Sequence, residues 1–206
     1  MRQMKRRPLL ALDADGVLLD YLEGYAVAWR DAFGTRPAVR DPRGYGPRDR
    51  WDVPRLDADG RARLRKRFDA NFWSTVPALP GAVDACTRLH DAGFELVCVS
   101  ALDTEFEASR LKNLRALGYP IERVYATPHD GGHRSPKADR LAELRPLAFV
   151  DDYLPYLRGV PQDVHTALVT RGATGGPNAG PEMVLARSTH LDLAAFADFW
   201  LQRPET

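Results

Sequence analysis

Pro8-Leu9-Leu10-Ala11-Leu12-Asp13-Ala14-Asp15-Gly16-Val17 is the stretch on which the architecture turns. Five residues without charge run up to a carboxylate, and a glycine three positions later bends the chain, as at the end of a buried strand. Similar apolar runs occur at 94–99, 123–126, 147–150 and 165–169. Helical patterns alternate with them over 81–92, 105–117 and 138–144, and stop at Gly93, at Gly118 and before Pro146. Strand–helix alternation at this spacing predicts an α/β protein, a Rossmann-like three-layer core with a parallel sheet buried on both faces.

Residues 20–76 break that rhythm. Leu22, Tyr25, Trp29 and Phe33 recur at helical spacing up to Gly34, and a loop rich in Arg, Pro and Gly follows over 36–52. A second helix is expected over 59–71, with Leu64 and Phe68 one turn apart. Two helices without a strand, placed directly after the first strand, predict a small α-helical cap at 20–76. Residues 1–19 and 77–206 then form the core. The loop 171–181, with four glycines and two prolines, reads as a mobile connection.

Composition narrows the function classes. The 206 residues are 44% hydrophobic and 28% charged with a formal net charge of +1, so no global field draws the chain to nucleic acid or to an anionic membrane. The basic run Arg61, Arg63, Arg65, Lys66, Arg67 has Leu64 and Phe68 inward and Asp57, Asp59 and Asp69 around it, and reads as a solvated helix face. Two cysteines make no disulfide framework, and Cys98 lies inside an apolar run as a buried small hydrophobe. Residues 1–7 are basic, but the apolar stretch after them is too short for a signal peptide, and no run approaches the ~18 residues of a membrane span. The expected location is cytoplasmic. His129 and His133 flank Asp130-Gly131-Gly132 and read as surface or substrate-side residues; His90, His165 and His190 read as unpaired and structural.

Chemistry gathers at strand ends. Asp13 and Asp15 leave the first strand into the glycine turn, where ligands bind in open α/β sheets. The run 147–150 ends in Asp151 and Asp152. Neighbouring strand ends would crowd these carboxylates together, and a hard divalent cation such as Mg²⁺ relieves that repulsion. Ser100 ends another strand with a hydroxyl, and Lys137 opens the helix before the last carboxylate pair, where its ammonium can neutralise phosphate.

The ordered set Asp13-Ala14-Asp15-Gly16-Val17, Ser100, Lys137, Asp151-Asp152 resembles the haloacid dehalogenase-like superfamily over nearly the whole chain. That resemblance implies a phosphatase or phosphomutase that needs Mg²⁺ and acts on a small-molecule phosphate ester. Asp13 would take the phosphoryl group, and Asp15 would serve as acid and base while its carbonyl binds metal. Ser100 and Lys137 would hold phosphoryl oxygens, Asp152 would bind the ion and Asp151 would support it. Phosphate binding extends to Ala101, where some members carry a second hydroxyl. An aspartate at Asp15 argues against a dehalogenase, because dehalogenases of this superfamily lack an acid there.

The segment 20–76 more narrowly resembles the 5'-deoxyribonucleotidases, through Asp20-Tyr21-Leu22-Glu23-Gly24, Trp51-Asp52-Val53 and Asn71-Phe72-Trp73 leading into Leu79-Pro80-Gly81. By that likeness Tyr21 packs on a nucleobase, Trp51 lines the pocket, and Phe72 and Trp73 join them. The other reading makes these aromatics the core of a small cap. The rival functions are a sugar-phosphate phosphatase or phosphomutase, which the motif at Asp13 and Asp15 serves too, and a non-catalytic binding protein of the same fold; the arginine-rich loop (Arg36, Arg40, Arg43, Arg48, Arg50) would suit a more anionic substrate.

Overall fold

The computed structural model describes residues 7–129 and 131–203. The basic start before Arg7, and Asp130 between the two histidines, lie outside the described residues.

Six strands form one parallel sheet: β1 (Leu9–Leu12), β4 (Glu95–Ser100), β5 (Val124–Ala126), β6 (Ala148–Asp151), β7 (His165–Val169) and β8 (Ser188–His190), in the order β5-β4-β1-β6-β7-β8. β1 sits in the middle, paired with β4 on one side and β6 on the other. Its side chains alternate between two cores. Leu10 and Leu12 enter the larger cluster with Leu89, Leu114 and Phe196, while Ala11 joins Leu141, Phe149 and Leu168 on the opposite face. Burial on both faces is why β1 reads as an unbroken apolar run rather than an alternating one.

The helices follow from that. α5 (Ala82–Asp91), α6 (Glu107–Ala116) and α8 (Leu193–Leu201) pack on the larger cluster, and α7 (Ala138–Leu144) on the smaller. Asp192 caps α8 by accepting from the Ala195 amide at 2.8 Å. The strand β8 and the helix α8 are additions to what the sequence patterns indicate. β8 has only three residues, and Ser-Thr-His carries no apolar run.

Between β1 and α5 the chain forms α1 (Tyr21–Phe33), a two-stranded ribbon of β2 (Ala38–Val39) and β3 (Trp51–Asp52), and the short helices α2 (Pro47–Arg50), α3 (Ala58–Arg65) and α4 (Ala70–Trp73). α1 starts where the Asp20 carboxylate accepts from the Glu23 amide and ends at Gly34, whose φ of 88° suits a glycine stop. The helix expected over 59–71 is instead two, because the Asp69 carboxylate accepts from the Phe72 amide at 2.9 Å and starts a new turn. The two connecting chains run side by side: the Leu79 amide donates to Leu18 and the Asp20 amide to Pro77.

The loop 171–181 is tied down. The Thr174 amide donates to the Arg43 carbonyl at 2.7 Å and its hydroxyl to Asp41, so it docks on the loop 41–46 of the inserted segment. No helix among the described residues is long and apolar enough to cross a membrane.

Candidate active site

Register brings the carboxylates together. β1 and β6 pair Leu12 with Val150, so the next residues, Asp13 and Asp151, leave adjacent strands at the same level. The Asp13 amide donates to the Val150 carbonyl at 2.9 Å and extends the ladder by one step. Asp13, Asp151 and Asp152 each offer an oxygen, all within 4.8 Å of one another. Gly16, at φ 86°, lets the turn pass so close that a side chain there would overlap the Asp152 carboxylate.

Three cations divide four carboxylates. Lys137, fully buried, places Nζ 2.7 Å from Asp13 Oδ1 and 2.6 Å from Asp151 Oδ2. Arg171 reaches Asp152 Oδ2 at 2.9 Å. Arg110, also fully buried, sets Nη2 2.9 Å from both oxygens of Asp15. Burial disfavours the charged form of Lys137, but the two carboxylates outweigh it and hold the ammonium charged. Burial pushes the carboxyl of Asp152 up to about 7 against the pull of Arg171. Burial also raises Asp15 above the usual carboxylate range despite Arg110. Asp151 is raised by burial against Lys137.

This donor set suits a hard divalent ion. Three oxygen ligands converge, and crowded anions of raised pKa mark a site where further positive charge is favourable. The pattern fits a metal on Asp13, Asp151 and Asp152. The side chain of Asp15 stands outside that trio.

Beside the carboxylates lies a cavity of about 310 Å³, at the lower end of the ~300–1,000 Å³ usual for small-molecule pockets. Asp13, Asp15, Ser100 and Ala101 line it, with Tyr21 and Trp73 on the side of the inserted segment. Lys137 stands behind Asp13 rather than in the lining. Of the aromatics expected to meet a ligand, two do not reach the cavity. Trp51 is buried between the guanidinium groups of Arg36 and Arg50, and its indole N–H donates to the Leu22 carbonyl at 2.9 Å. Phe72 packs edge-on against Tyr21, Phe68 and Trp73. Both are core of the inserted segment. Apolar spacing cannot separate a ring that faces a pocket from one that faces its own helices.

Four further residues belong to this site without having stood out in the sequence. Arg110 lies one helical turn before Leu114, on the buried face of α6, and a charge on an apolar stripe was the available signal. Arg171 and Asn178 lie on the loop after β7, at the carboxyl rim of the sheet. Asn178 donates to the Asp152 carbonyl at 2.7 Å, and the Tyr45 hydroxyl donates to the same oxygen at 3.1 Å. Nothing local in their sequence marks them. His129 comes edge-on to Tyr156, a cavity residue, at 6.3 Å.

No family model and no curated protein matches the chain. Solved structures do. A HAD family hydrolase from Deinococcus radiodurans R1, with bound phosphate and sodium, superposes with a TM-score of 0.59 at 22% identity, over 97% of this chain and 99% of that one. The fold is that of the HAD-family hydrolases. CbbY from Rhodobacter sphaeroides, in complex with phosphate, gives 0.54 at 16% identity over 92% and 96% of the two chains. D,D-heptose 1,7-bisphosphate phosphatase from B. bronchiseptica, with magnesium and phosphate, gives 0.50 at 20% identity over 95% and 98%. At these identities the likeness to HAD-family structures is one of fold.

Proposed function

We propose that the chain is a Mg²⁺-dependent phosphomonoester hydrolase acting on a small phosphorylated metabolite, with residues 20–76 as a cap over the site. The observation that carries this reading is the Asp13 carboxylate. It is 5% exposed, lines the cavity, is bonded to the buried Lys137 ammonium, and shares one small volume with the two carboxylates that end β6.

Asp13 attacks phosphorus; its Oδ–P bond forms as the ester P–O bond breaks. Asp15 gives its proton to the departing oxygen, then takes one from water as that water cleaves the aspartyl-phosphate and regenerates Asp13. The Ser100 hydroxyl binds a phosphoryl oxygen and orients the phosphorus towards Asp13, while Lys137, bonded to Asp13 from behind, holds that carboxylate in place and offsets the charge gathering there. Asp13, Asp151 and Asp152 would hold Mg²⁺, which would supply charge neutralisation for the phosphoryl group. Splitting one displacement into two lets a buried carboxylate do what water alone does poorly.

Tyr21 and Trp73 offer ring surface to the leaving group, which favours a nucleoside monophosphate. The small cavity favours a sugar phosphate or a smaller ester. Phosphate release from a panel of both classes, with Mg²⁺ and with EDTA, tests the proposal. The reading fails if no ester is hydrolysed with Mg²⁺, or if Asp13→Asn hydrolyses as fast as the parent.

A further inference from the structure

Arg110 is a costly residue to keep. Its guanidinium is wholly enclosed, yet only Nη2 is hydrogen-bonded; Nε and Nη1 are buried without an acceptor among the described residues. Unserved buried donors are destabilising, and an apolar side chain of the same volume would pack at lower cost. Stacking over the Trp73 ring, at 4.9 Å from its centroid, offsets part of this. A fold that only needed α6 held down would not require the charge.

The use of that charge follows from which carboxylates converge. Asp13, Asp151 and Asp152 share one small volume, and Asp15 does not, though it is only two residues from Asp13. A free carboxylate on that turn is drawn towards any cation among the other three. The single nitrogen that touches both Asp15 oxygens opposes this. Held by Arg110, the Asp15 carboxyl stays on the cavity wall beside Trp73 and Tyr21, where a leaving group would pass.

We infer that Arg110 is a positioning residue: it keeps the Asp15 carboxyl out of the metal-binding set and directed at the leaving group. The inference rests on the phosphatase reading and adds to it a residue that touches neither substrate nor metal.

The test compares two esters of nearly equal shape. 4-Nitrophenyl phosphate expels an anion that needs no proton, and phenyl phosphate expels one that does. Because general acid catalysis contributes about 10²–10⁴-fold, Arg110→Met should lower kcat/KM for phenyl phosphate by about 10²-fold or more and for 4-nitrophenyl phosphate by less than about tenfold; kcat/KM ends at departure of the leaving group and excludes the water step that both esters share. Asp15→Asn should give the same signature in kcat/KM, and Arg110→Lys should recover most of kcat/KM for phenyl phosphate. Equal losses on both esters, or no loss on either, overturn the inference. Should Arg110→Met not fold, Arg110→Gln is read by the same ratio.

Mn²⁺ binding, followed by electron paramagnetic resonance, gives a readout without turnover. Arg110→Met should bind Mn²⁺ several-fold tighter, and the gain should vanish when Asp15→Asn is added. Unchanged affinity, or a gain that survives Asp15→Asn, overturns the inference. If the parent hydrolyses neither aryl ester, the phosphatase reading is judged on the nucleotide and sugar phosphates alone, and this titration decides the role of Arg110.

Discussion

Lys137 Nζ bridges Asp13 and Asp151, 2.7 Å from an oxygen of one and 2.6 Å from an oxygen of the other, with no water-accessible surface on the lysine. One ammonium therefore ties the end of β1 to the end of β6 and compensates two charges that the fold has buried. Breaking a buried pair by removing one partner costs about 3–5 kcal/mol, because the other charge is left without compensation. Lys137→Met should lower stability by about that much and cut phosphate release by at least about 10²-fold. Urea unfolding and steady-state kinetics measure the two. Added Mg²⁺ should restore part of the stability and little of the rate, since a metal replaces the charge but not the bond that holds the Asp13 carboxylate in place.

Gly16 is the close-approach point of the site. At φ 86° an alanine is strained by ~1–2 kcal/mol, and its methyl group would also overlap the Asp152 carboxylate. Gly16→Ala should thus weaken Mg²⁺ binding as well as stability. Calorimetric titration with Mg²⁺ distinguishes this from a general loss of fold, in which melting falls but the affinity of the folded fraction is unchanged.

The central strands were legible in the sequence because they are apolar on both faces and stop at polar residues, β1 at Asp13, β4 at Ser100, β6 at Asp151 and β7 at Thr170. Leu9–Leu12 and His165–Val169 needed no tertiary information. The carboxylate trio was legible as well, since its members lie at two strand ends and parallel strands present those ends on one rim. The partners that sort the carboxylates were not. Arg171 reaches Asp152 from a loop whose composition signals only flexibility, and Tyr45 reaches the same residue from 107 positions away in sequence. Such contacts arise from how loops dock, and period and propensity carry no record of that. The aromatic residues divided for the same reason: Tyr21 and Trp51 share a residue class, but only the first meets the cavity.

That division can be measured. Trp51 is 2% exposed with its indole N–H bonded, and truncating a buried tryptophan costs about 3–5 kcal/mol. Trp51→Phe should lower the melting temperature and leave KM for the best substrate within about twofold, the expectation for a residue packed away from a pocket. Tyr21→Ala should raise KM by about tenfold, near the ~1–3 kcal/mol of one base–aromatic stack, if the leaving group is aromatic, and far less for a sugar phosphate. The contrast between the two variants, measured on both substrate classes, shows which face of the inserted segment reads the ligand.

Far from the cavity, a hydrogen-bond chain links the last two strands to the C-terminal helix. Arg203 Nη1 lies 3.2 Å from His165 Nδ1, and His165 Nε2 and His190 Nε2 both lie 2.8 Å from the Ser188 hydroxyl. A guanidinium only donates, so Nδ1 of His165 must accept. Its proton then sits on Nε2 and is donated to the Ser188 hydroxyl. The chain requires a neutral His165. Burial, with help from Arg203, Arg187 and His190, pushes His165 down to about 4, and burial lowers His190 as well. In the unfolded chain each titrates near ~6.5. Between those values the unfolded state binds more protons, so stability should fall as pH drops from above the unfolded value towards about 4, then level off for this group. His165→Gln, which cannot be protonated, should remove this contribution, so that its urea midpoint falls less steeply than the parent's as pH drops through that window. A slope unchanged by His165→Gln would assign the acid sensitivity to other groups.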